Sequence, residues 1–78
     1  MEKFWERTLS LLSDSIDDQA FEAWIRPLSF VKLEGDNLFI EAPDSFFREW
    51  LETHYSPLIK DAASTLTNKS ISLHLGIR

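Results

Sequence analysis

The chain has 78 residues, enough for one small domain near the lower end of what folds alone, and with no cysteine it cannot draw on disulfide or thiolate reinforcement. Hydrophobic residues make up 44% and aromatics 13%, so a dense core is available, and two glycines and three prolines leave no composition for a long flexible tract. A formal net charge of -5 opposes direct binding to nucleic-acid phosphate, and no apolar run approaches the ~20 residues of a bilayer span. The absence of cysteine and of an N-terminal apolar block favours an intracellular setting.

From Glu2 to about Ser15, Trp5, Leu9, Leu12 and Ile16 recur on one helical stripe, with Phe4 and Leu11 on a second, weaker stripe. "SDSIDDQ" interrupts the pattern, and Asp17 and Asp18 suit the positive N-terminal end of a second helix. That helix holds Phe21, Trp24 and Ile25, with Leu28 continuing the spacing, and Pro27 ends it. The period then shortens. Val31 and Leu33 alternate with Lys32 and Glu34, and Leu38, Ile40 and Ala42 alternate with Phe39 and Glu41, across a hairpin at "EGDN".

Asp44 is the expected cap of a third helix, whose apolar face is Phe47, Trp50, Leu51, Tyr55 and Leu58. Pro57 inside it either kinks one long helix or starts another with Ser56 as its cap. The helical pattern fades near Leu66, "TNKS" turns the chain, and Ile71, Leu73, Leu75 and Ile77 make a strand with one buried face. The order α-α-β-β-α-β predicts an α+β fold, a three-stranded sheet packed against helices. The second strand, third helix and last strand are candidates for a right-handed crossover, and which strand is central stays open. Leu9, Leu12, Phe21, Trp24, Leu51 and Leu73 are the expected core.

No catalytic constellation is visible. His54 and His74 stand apart from any metal-ligand spacing, and there is no G-x-S-x-G elbow. Gly35 and Gly76 alone cannot form a phosphate-cradling loop, so no nucleotide, cofactor or metal is expected in this segment. The carboxylates of "DSIDD" read as caps and solvated charges.

A tryptophan on the first helix, "FEAWIRPL", a short hairpin, "APDSFFREWLETHY" and a closing strand together resemble the N-terminal domain of the DnaA family of bacterial chromosomal replication initiators. The likeness covers almost the whole chain. It implies a K-homology-like module, cytoplasmic and without chemistry of its own, that mediates weak initiator self-association and docks the replicative helicase and species-specific regulators at the origin. It further implies that residues 1–78 form a single N-terminal domain, with ATP binding and duplex recognition left to AAA+ and helix-turn-helix domains absent from this chain. Carried over by position, Trp5 matches the tryptophan of self-association, with Phe4 and Leu11 beside it. Phe46 matches the exposed phenylalanine of helicase and regulator binding, beside Asp44 and the second-helix surface of Ala20 and Ala23. Some family members have Glu where Ala20 stands, and Glu22 or Asp18 is the expected substitute.

Taken alone, Trp5 heads a core stripe; the resemblance turns the expectation towards an exposed indole. Phe46 and Phe47 point about 100° apart on a helix, and Phe47 shares the stripe of Leu51, Tyr55 and Leu58, so Phe46 is expected outside. Trp24, Trp50 and Phe21 are expected inside. The K-homology likeness keeps a second function in view, single-stranded nucleic-acid binding. Such binding wants a GXXG loop and a basic groove, and the sequence has neither.

Overall fold

A computed structural model of the protein describes residues 2–78. Helix α1 spans Glu2–Ser15, as its periodicity predicts. Its buried line is Trp5, Thr8 and Leu12, flanked by the half-buried Phe4, Leu9, Leu11 and Ile16. Thr8 is absent from the apolar pattern because a hydroxyl does not read as core. It tolerates full burial because its Oγ1 donates to the Phe4 carbonyl at 2.8 Å.

Helix α2, Asp18–Ala20, starts at Asp17, whose Oδ1 accepts the Ala20 N–H at 2.8 Å. It continues directly into a π-helical stretch, Phe21–Ile25, which spacing does not foretell. The wide turn closes where the Arg26 N–H donates to the Phe21 carbonyl at 3.0 Å, five residues back. Phe21, Ile25 and Leu28 are buried there, whereas Trp24 is only half-buried.

Strands β1 (Ser29–Glu34), β2 (Asn37–Ala42) and β3 (Ser72–Ile77) form one sheet in the order β1-β2-β3. β2 is central, antiparallel to β1 and parallel to β3, and its Leu38, Ile40 and Ala42 are buried. Gly35 takes φ 60° at the first position of the two-residue hairpin loop, where a side chain would be strained. β1 departs from simple alternation. A bulge between Phe30 and Lys32 inserts one residue, so Phe30 faces Ile40 and Leu33 faces Leu38 although they are three apart in sequence. Val31, expected inside, is therefore 48% exposed. On β3 Leu73 and Leu75 are half-buried and Ile77, at the strand end, is exposed, so this edge strand is less covered than its alternation implies.

The parallel connection from β2 to β3 is made by α3 (Ser45–His54) and α4 (Ser56–Thr67). Pro57 thus splits the predicted third helix in two. The break lies at Tyr55 (φ -122°, ψ -11°), and Tyr55 rather than Ser56 is the cap residue of α4, with no side-chain capping bond. Proline fits the first turn because its missing N–H would be unpaired there anyway. Leu51 of α3 and Ile59, Ala62 and Ala63 of α4 are buried. Asn68 ends α4 in the left-handed conformation (φ 57°). The architecture is the α+β arrangement that the sequence predicts, with four helices against a mixed three-stranded sheet.

Candidate protein-interaction surface

Asp44 sets the phase of α3. Its Oδ1 accepts the Phe47 N–H at 2.8 Å, which fixes where the first turn begins. From that start Leu51 falls in the core with Phe47 half-buried against it, while Phe46, Trp50 and His54 follow one another at four-residue intervals on the outer side. Phe46 is 78% exposed, as expected for the outward member of the pair. Trp50, expected in the core, is 41% exposed. Leu51 takes the buried centre of the helix face, and Trp50, beside it, is covered on one side by Trp24.

Two of these three outer rings, Trp50 and His54, are held by neighbours. The Trp50 ring stacks on Trp24 with centroids 5.2 Å apart and lies 3.9 Å from the His54 ring. Trp24 in turn packs on Phe47 at 4.8 Å. This accounts for Trp24 being half-buried instead of core: it bridges the π-helical stretch to α3. Phe46, Glu49, Trp50, Thr53 and His54 line a shallow depression of about 230 Å³. Trp50, His54 and Trp24 are the functional candidates that sequence reasoning missed. The signal was present as an aromatic series at i, i+4 and i+8, hidden because Trp50 also fits the inward stripe.

The other expected residues differ in exposure and in what they already bind. Asp44 is exposed, with one carboxylate oxygen engaged in capping. Ala20 is half-buried at the end of α2 and Ala23 is exposed one residue before Trp24. Glu22 is exposed, but both its oxygens accept from Arg26 Nε, at 3.0 and 2.9 Å, so its charge is already met.

The self-association set is not brought together. Trp5 is 9% exposed and stacks on Phe30 at 5.8 Å, which overturns the expected exposed indole. The bulge in β1 turns Phe30 inward to cover it. Phe4 packs on the same Phe30 at 6.1 Å and stays half-buried. Leu11 lies two turns along α1, in a separate groove against Leu58 of α4. His74 stacks on Phe39 at 4.6 Å and its Nε2 lies 2.9 Å from Asn37 Oδ1. Among the described residues no group of three or more His, Asp or Glu side chains is placed to hold a metal.

Outward aromatics on one helix face, with a polar rim, make a surface suited to contact with another protein. The chain belongs to the DnaA N-terminal domain family, whose model matches residues 2–65. It is 39% identical over 72 residues to the chromosomal replication initiator protein DnaA of Flavobacterium psychrophilum, covering 92% of this chain and 15% of that protein. With the DnaA of Geotalea uraniireducens it shares 35% identity over 77 residues, 99% of this chain and 17% of the relative. The chain therefore spans a small part of the relatives it matches. A solved structure, the HobA–DnaA (domain I–II) complex from Helicobacter pylori, superposes with a TM-score of 0.81 at 18% identity, covering 94% of this chain and 95% of that chain, and shows the same fold.

Proposed function

We propose that this domain docks the replicative helicase and species-specific regulators of initiation through the Phe46–Trp50–His54 face of α3. It acts as the interaction arm of a chromosomal replication initiator in the bacterial cytoplasm. The observation that carries the reading is Phe46, 78% exposed beside a Trp50 already clamped by its neighbours. A large apolar side chain left in water at a helix start gains by burial against a partner. An anchor whose surroundings are ordered beforehand loses little entropy on binding. The relation to replication initiators supports this choice of partner, and the solved DnaA structure of the same fold, from Helicobacter pylori, is a complex with HobA.

Weak self-association belongs to the same proposal. Phe4, half-buried near the start of α1, is the contacting side chain available there, and Trp5 supports it from beneath through Phe30. Such a patch is far below the ~1,200 Å² of stable complexes, so pairing matters only where many copies are gathered on the origin. Neither role needs a cofactor, and the charge of -5 argues against direct nucleic-acid binding. The test is calorimetric titration of the cognate helicase into wild type and Phe46→Ala. The variant should bind at least about tenfold more weakly, ~1.4 kcal/mol. Unchanged affinity with the fold intact would place docking elsewhere.

A further inference from the structure

A second groove runs between α1 and α4. Leu11, Asp14 and Ser15 line it from α1, and Leu58, Asp61, Ala62 and Thr65 line it from α4, enclosing about 260 Å³. Both sets follow one-face helical spacing, so the groove follows α1 for about one turn, roughly 6 Å, and α4 for about two turns, roughly 10 Å. Its floor is apolar, with Leu11 and Leu58 half-buried. The one titratable side chain that each helix contributes to its lining is acidic, and both Asp14 and Asp61 are exposed. Among the described residues the ion pairs join Arg26 to Glu22 and Lys32 to Glu34, and neither Asp14 nor Asp61 takes part in one.

We infer that this α1–α4 groove is a separate docking site for a basic amphipathic segment of a protein partner, one that seats an aliphatic side chain between Leu11 and Leu58 and brings Lys or Arg to Asp14 and Asp61. Charge complementarity selects this occupant. Two unpaired carboxylates beside an apolar floor repel an acidic segment, including a second copy of this acidic chain, and give a cation a place beside each helix. The volume is below the roughly 300–1,000 Å³ of small-molecule pockets, whereas a partner helix needs only to insert side chains at i and i+4. The site shares none of its lining residues with the α3 patch, so it stands or falls independently of the docking role proposed there.

The probe is a synthetic Leu/Lys amphipathic peptide of about 15 residues, long enough to form a helix on binding, with a Leu/Glu peptide of the same pattern as control. Followed by backbone amide shifts of the 78-residue chain, the Leu/Lys peptide should perturb the amides of Leu11, Asp14, Ser15, Leu58, Asp61, Ala62 and Thr65. Its affinity should fall with salt, and at least about tenfold in the Asp14→Asn/Asp61→Asn double variant, whose exposed positions leave folding intact. Phe46→Ala should bind the peptide as wild type does. Equal binding by the double variant, equal binding of the Leu/Glu peptide, shifts confined to α3, or no shifts at millimolar peptide would each overturn the inference. Groove shifts that grow with protein concentration without peptide would make the occupant a second copy and overturn it likewise.

Discussion

Phe46 and Phe47 are identical neighbours with opposite surroundings, and the difference is set by Asp44. With its carboxylate on the Phe47 N–H, the helix starts at a phase that turns Phe47 onto Trp24 and leaves Phe46 in solvent. Phe46→Ala should therefore leave stability within about 0.5 kcal/mol of wild type while weakening partner binding. Phe47→Ala should cost about 2–4 kcal/mol, since it empties a partly buried aromatic contact. Thermal melts of the two variants decide the point, and a reversed order would exchange their faces. Asp44 has two separable jobs, cap and polar rim. Asp44→Ala should lose about 1 kcal/mol of stability, whereas Asp44→Asn, an equally good cap, should keep it. Any binding loss in Asp44→Asn then reports the charge alone.

At the scale of elements, the sequence is most legible where periodicity is unbroken. Helix α1 has the expected extent and the central strand the expected inward residues Leu38, Ile40 and Ala42, although on α1 the buried line runs through Trp5, Thr8 and Leu12 and leaves Leu9 and Ile16 half-buried. Legibility fails where the backbone leaves its regular repeat. The π-helical turn at Phe21–Ile25 and the bulge at Val31 each add a residue's worth of rotation that counting cannot foresee, and they redirect Trp24 and Phe30. Those two rings then decide the candidate surfaces: Trp24 holds Trp50 outward, and Phe30 covers Trp5. The exposure of Phe46 was readable from the doublet, while Trp50 and His54 were not, since their place depends on Trp24. The bulge has a direct test. Val31→Lys should melt within about 0.5 kcal/mol of wild type, whereas Leu33→Lys, on the inner face, should be strongly destabilising. Matching losses would mean that Val31 does pack inward.

For the molecule as a whole, the core and the docking surface are built from different sides of the same elements. Trp5 belongs to the core side, so Trp5→Ala should lower stability by about 3–5 kcal/mol, a large share of what a small domain has. Loss of self-association in that variant would then accompany unfolding, visible by circular dichroism at the same temperature. A folded Trp5→Ala with wild-type melting would instead support a direct contact role. The α3 face belongs to the other side, where aromatics are ordered without being covered. The central claim is that a replication partner lands on this face. The direct measurement is amide shift mapping of the labelled domain as the cognate replicative helicase is added. The account predicts that the largest changes fall on Phe46, Glu49, Trp50, Thr53 and His54, with Trp24 following through its stack. Saturable changes centred on the Lys32, Phe39 and His74 face of the sheet, with α3 unmoved, would contradict it.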